Sequence, residues 1–310
     1  MITLSSDSVV IIFQSNLFNV LIILIINIEK IMIAYYNGEF IPIENISVSP
    51  FDRGFLFADG VYEAMRTYNK KLFMLQKHLD RLRYSLEQIS IDYKELDKIE
   101  NLIYHCAELN NLNSDFSVYI QITRGISFPR THHFQSQIKP NLFIYVSEIK
   151  NREKEINEGV SIIFEPDIRW NRCDIKSISL LPNVLANNKA ISGGHYEAVL
   201  FRDNLITEGT HTNFFAVKNN TILTAPLSNF ILNGVTRNIV FQLCKENNIQ
   251  IAEEYIRVNE IFEYDEFFIT GTMSEITPVV KIDKRIIGDG KPGKLTRKIQ
   301  KLFYEFVRKH

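Results

Sequence analysis

Residues 167–187 read DIRWNRCDIKSISLLPNVLAN. One lysine, Lys176, stands among apolar and small residues, with two arginines and two acids just upstream. Apolar surroundings penalise a charged amine, lower its pKa and leave it a usable nucleophile, which is what a Schiff-base lysine needs. The same stretch also reads as a surface lysine between a strand and a helix. Taken alone it leaves both readings standing, and Pro182 is compatible with a helix starting soon after the lysine.

Patterns on either side of this stretch give the frame. Residues 33–43 (IAYYNGEFIPI) place Asn37-Gly38 between two apolar-rich runs, the signature of a β-hairpin. Leu79, Leu82, Leu86 and Ile89 recur at helical spacing over 76–89, with His78, Arg81 and Ser85 read as surface positions. A second amphipathic helix is expected over 96–112. Val118, Ile120 and Ile122 alternate with Tyr119, Gln121 and Thr123 over 117–124, a strand with one buried face, and 141–147 is another strand. The charged run 151–158 (NREKEINE) is the best linker. Beyond it strands are expected at 160–164, 197–201, 214–217 and 267–270, and helices at 236–246 and 295–307. Two α+β domains, 32–150 and 151–310, fit ordinary domain sizes.

Composition is that of a soluble globular protein of 310 residues, 45% hydrophobic and 23% charged. A formal net charge of −1 gives no pointer to nucleic acid or an anionic membrane. Three scattered cysteines, Cys106, Cys173 and Cys244, suggest a reducing compartment without a disulfide framework. No metal-ligand spacing, P-loop, G-x-S-x-G or dinucleotide fingerprint occurs. Residues 1–31 differ from the rest. Their apolar run 17–28 is shorter than a bilayer span, has no preceding Lys or Arg and no following cleavage site. The expectation is an apolar extension that is not part of the fold, with Met32 as the true first residue; a membrane anchor is the alternative.

Several segments carry chemistry. In 207–213 (TEGTHTN), Glu208 followed by glycine and small polar groups suits a carboxylate aimed into a cleft at a protonated ring nitrogen, or a solvated polar turn. In 233–237 (NGVTR), the amides of Val235 and Thr236 open an amphipathic helix and suit phosphate binding, or ordinary capping by Thr236. Thr272 in 271–275 (GTMSE) offers a hydroxyl suited to completing such a cup, or to capping a helix, and Arg81 a countercharge, or a solvated face. Arg130 and His132, in the loop 128–134 (FPRTHHF), suit carboxylate capture, with Tyr62 as a further donor; a solvent-facing turn and a half-buried strand tyrosine are the plain alternatives.

Taken in chain order, DGVYE (59–63), HLDRL (78–82), VYIQITRG (118–125), PRTHHF (129–134), DIRWNRCDIKS (167–177), TEG (207–209), NGVTRN (233–238), TMSEITP (272–278) and KLTRKIQK (294–301) resemble the fold-type IV pyridoxal-phosphate enzymes. The match is closest to the bacterial D-amino-acid aminotransferases and covers the chain from about Tyr35 onward. The resemblance implies an α+β, two-domain fold with the active site between the domains and pyridoxal 5′-phosphate as cofactor. It implies Lys176 as the lysine that binds the cofactor covalently and shuttles the proton, and Glu208 as the carboxylate on the pyridine nitrogen. Arg81, Val235, Thr236 and Thr272 match phosphate-holding positions. Tyr62, Arg130 and His132 resemble a trap for the substrate α-carboxylate, and Arg169 a residue that supports the tyrosine. It further implies a cytoplasmic homodimer with the Arg130/His132 loop reaching across the interface. The implied reaction is ping-pong transfer of an amino group from a D-amino acid to a 2-oxo acid. Alternatives on the same fold are branched-chain L-aminotransferase, (R)-amine transaminase and aminodeoxychorismate lyase, and a non-catalytic binding protein is a third. His211 stands where a small hydroxyl residue is usual, and Gly271 where a serine is.

Overall fold

The computed structural model describes residues 31–135 and 137–310, together with the strands Ile2–Ser5, Ser8–Gln14 and Leu21–Asn27, which among the described residues pair with one another. The expectation that 1–31 is not part of the fold falls largely outside the described residues. Among the described residues no helix is long and apolar enough to cross a membrane.

The first half of the chain builds a six-stranded sheet in the order Glu39–Pro42, Ile33–Tyr36, Asn141–Glu148, Phe116–Thr123, Gly60–Tyr68, Lys71–Leu72. Asn37 and Gly38 both take positive φ (50° and 112°) and close the expected hairpin. Val118, Ile120 and Ile122 pack under Leu79, Leu82 and Leu86 of the helix Leu75–Gln88 and under the helix Ile99–Leu109. The predicted alternation and helical stripe therefore meet in one core.

The second half builds a nine-stranded mixed sheet covered on both faces. The sequence shows why two covers are needed. Adjacent phenylalanines point to opposite faces of a strand. Phe214 and Phe267 meet in one core with ring centroids 5.7 Å apart, and Phe215 and Phe268 stack in the other at 4.7 Å. Each such ring, fully buried, contributes roughly 1.5–3 kcal/mol. The helices Val235–Glu246 and Lys294–Lys309 supply one cover through Ile239, Val240, Ile299 and Phe303.

Two readings change. The charged run 151–158 is not plain linker: Glu153–Glu158 is helical, and Gln300 and Arg297 of the last helix donate to the Ile156 carbonyl at 3.0 and 3.1 Å. His78 and Ser85 are not surface positions but are 1% and 0% exposed, and Arg81 is largely buried. The polar side of their helix packs against the Lys176 segment and a neighbouring strand, so its polar groups are paired with protein rather than water.

Candidate active site

An open cleft lies between the two sheets, with Lys176, Glu208 and the start of the helix Val235–Glu246 on its walls. The Lys176 segment straddles both halves. Ile175 is buried in the core of the first sheet, Tyr62 donates its amide to the Lys176 carbonyl at 3.0 Å, and the Lys176 amide donates to Ser85 Oγ at 3.1 Å. The backbone is thus pinned without help from the side chain. Nζ stands 4.2 Å from the centre of the Tyr62 ring. The Tyr62 ring therefore forms one wall beside the amine in a cleft lined largely by polar groups.

Glu208 stands next to last in the strand Leu205–Gly209 and is buried. It accepts from Arg169 Nη1 at 2.6 Å, from Asn213 Nδ2 at 3.1 Å and from the Leu232 amide at 2.9 Å. Burial pushes its pKa above the ordinary carboxylate value, opposed by the Arg169 guanidinium. It is not a solvated turn residue. Arg169 also bonds Asp167 in bidentate fashion, Nε and Nη2 each at 2.9 Å. Its guanidinium serves the two carboxylates, not the tyrosine expected beside it.

The helix Val235–Glu246 begins after Gly234, and no described side chain caps it. The expected capping by Thr236 does not occur, which leaves the first amides for a ligand. A Cβ at Gly234 would lie 2.0 Å from Asn213 Oδ1, so only glycine allows this approach. Thr272 and Thr270 line the same end, and Thr270 Oγ1 is buried without a hydrogen-bond partner among the described residues. An anion held by uncapped amides and hydroxyls fits these groups. Gly271 has room for a side chain, since a Cβ there meets nothing closer than 3.5 Å.

Arg81 faces this end, held by Glu63, which no local pattern singles out. Fully buried Glu63 accepts from Arg81 Nε at 2.7 Å, from Arg81 Nη2 at 2.9 Å and from His78 Nδ1 at 2.8 Å. Burial drives the Glu63 carboxyl up; Arg81 and the His78 bond reverse this and hold it well below its ordinary 4.5. Burial keeps His78 below its ordinary value, hence neutral and donating. The signal was present as His78 and Arg81 at i, i+3 on one helix face, but their shared partner lies across the fold. Glu63→Gln is expected to cost about 3 kcal/mol of stability by stranding Arg81. A folded pKa below the unfolded one stabilises fully above pH 4.5 and less as pH falls through the folded value. Urea denaturation should therefore show the wild-type advantage narrowing below that pH; an advantage constant down to about pH 3 would exclude ionised Glu63 as its source.

Arg130 and His132 lie apart from this cleft. Both are exposed, Arg130 with its guanidinium 4.5 Å over the Phe57 ring. Their loop is fastened by buried Arg53, which donates to the Thr131 and His132 carbonyls at 2.7 and 3.2 Å. On the cleft rim, His211 Nδ1 sits 2.9 Å from fully buried Glu197.

The Amino-transferase class IV family matches residues 60–282. The chain is similar to the D-alanine aminotransferase of Bacillus licheniformis, 41% identical over 270 residues, covering 87% of this chain and 95% of that protein. It is 37% identical over 279 residues to the D-alanine aminotransferase of Staphylococcus epidermidis, covering 89% and 98%. In fold it is similar to the branched-chain amino acid aminotransferase of Escherichia coli, with a TM-score of 0.81, 22% identity and 90% and 95% of the two chains covered. At that identity the likeness speaks to fold. With the family model matching most of its length and a relative 41% identical over 87% of it, the chain belongs to the class IV aminotransferases.

Proposed function

We propose that this enzyme moves the amino group of a D-amino acid, of the D-alanine or D-glutamate type, onto 2-oxoglutarate or pyruvate, with pyridoxal 5′-phosphate in the cleft. The observation that carries this is the meeting of Lys176 with buried Glu208 beside an uncapped helix start. The phosphate would lie against the Val235 and Thr236 amides, the Thr272 hydroxyl and Arg81. When bound, the cofactor supplies an electron sink for the substrate Cα. Glu208, its charge backed by Arg169, keeps a proton on the ring nitrogen. Lys176 Nζ would take the proton from the substrate Cα and deliver it to C4′ of the cofactor. Tyr62 closes the wall above the amine.

A substrate carboxylate needs a cation, and the cleft's two arginines are already engaged, Arg81 by Glu63 and Arg169 by Asp167 and Glu208. Arg130 and His132 remain, on a loop rimmed by exposed Phe55, Ile126, Phe128 and Phe134. An apolar patch of that kind supports contact with a second copy of the chain. In such a homodimer each loop serves the partner's cleft. The free, buried cysteines suit a reducing compartment such as the cytoplasm.

The test is a donor screen. Yellow, purified enzyme is expected to convert D-alanine and 2-oxoglutarate to pyruvate and D-glutamate. Good turnover of L-leucine with none of D-alanine would replace this reading by the branched-chain one.

A further inference from the structure

We propose that Glu275 is a positioning residue that fixes the phosphate-side turn of the cleft by tying it to the first sheet. The proposal rests on reading the cleft as a pyridoxal-phosphate site. Residues 271–275 form the turn between the strands Glu266–Gly271 and Glu275–Ile282, with Gly271 and Glu275 paired at its neck and Thr272 on the cleft wall. Glu275 takes φ +48°, a left-handed conformation that glycine or asparagine adopts with less strain.

A glutamate stands there nonetheless, buried, and both its carboxylate oxygens are engaged. Oε1 accepts from Arg66 Nη1 at 2.6 Å and from the Tyr68 hydroxyl at 2.5 Å; Oε2 accepts from the Tyr304 hydroxyl at 2.8 Å. Arg66 and Tyr68 belong to the strand Gly60–Tyr68, Tyr304 to the last helix. The same strand carries Glu63, which seats Arg81, and Tyr62, which faces Lys176. One strand therefore sets both phosphate-side arms, Arg81 through Glu63 and the Thr272 turn through Glu275. Backbone strain retained at a turn beside a site, with a buried carboxylate as its gain, is the mark of a positional constraint. Burial, reinforced by the Glu275 charge, raises the pKa of both phenols, so they stay protonated donors.

The test compares three variants by titrating pyridoxal phosphate into apoenzyme and following absorbance, with apoenzyme melting temperature recorded alongside. Glu275→Gln, which keeps the volume and one acceptor, is expected to raise the cofactor Kd about tenfold. Tyr68→Phe removes a bond to the first sheet and is expected to raise it several-fold. Tyr304→Phe removes a bond to the last helix of the same half as the turn. It is expected to lower the melting temperature about as much as Tyr68→Phe while leaving Kd within about twofold. An unchanged Kd in Glu275→Gln, or Kd rising in proportion to lost melting temperature in both tyrosine variants, overturns the proposal. Wild-type apoenzyme that takes up no pyridoxal phosphate overturns the cofactor reading as well.

Discussion

Lys176→Ala is expected to lower kcat by about 10⁴-fold, the upper end of what one positioned proton-transfer group contributes. The lysine has two tasks, holding the cofactor covalently and moving the Cα proton, and alanine does neither. The rest of the cleft should survive. The backbone at 176 is held by Ser85 and Tyr62 through main-chain atoms, and Glu208 and the helix start at Val235 do not depend on the side chain. Cofactor should therefore still bind, noncovalently, and steady-state assay plus absorbance separates binding from turnover. Unchanged turnover would remove Lys176 from its role.

Arg130→Ala is expected to lower kcat/KM roughly 10- to 150-fold, chiefly through KM, as loss of one charge-assisted carboxylate bond of about 1.5–3 kcal/mol implies. The fold should tolerate it, because Arg130 is exposed and its ring contact is with Phe57 alone among the described residues, while Arg53 holds the loop by its carbonyls. The same variant tests the shared site. If the loop serves the partner's cleft, mixing and reassociating Lys176→Ala with Arg130→Ala gives hybrid dimers in which one site carries both lesions and the other carries none. Random pairing then restores about a quarter of wild-type activity. No recovery on mixing would place Arg130 in its own chain's cleft or outside the reaction.

Much of the frame was legible from local pattern. Asn37-Gly38 between apolar runs, the alternation of Val118, Ile120 and Ile122, and the stripe of Leu79, Leu82 and Leu86 each report a burial preference within one element, and each was found where expected. The strand Glu275–Ile282 is not legible in the sequence, although it lies inside the nine-stranded sheet. Pro278 speaks against an inner strand; it is accommodated because the parallel ladder with Val160–Pro166 starts only at Val279. His78 and Ser85 read as surface positions for a related reason. Polar residues on a helix face predict water, but here that face meets a second set of polar groups, including Glu63 and the Lys176 amide.

For the site, sequence alone determines the chemical inventory and its order: a lysine before a helix, a carboxylate beside glycine, a glycine-led helix start, an Arg–His loop. These are properties of short segments, and adjacency along the chain suffices to state them. Tertiary structure alone decides which charges are already spent. Arg81 is committed to Glu63, 18 positions away, and Arg169 to Glu208, 39 away, so neither is a free cation for substrate. It also places Arg130 and His132 outside the cleft of their own chain. Coulomb and hydrogen-bond energies depend on separations of a few ångströms and on burial, and those separations exist only once the two sheets have met.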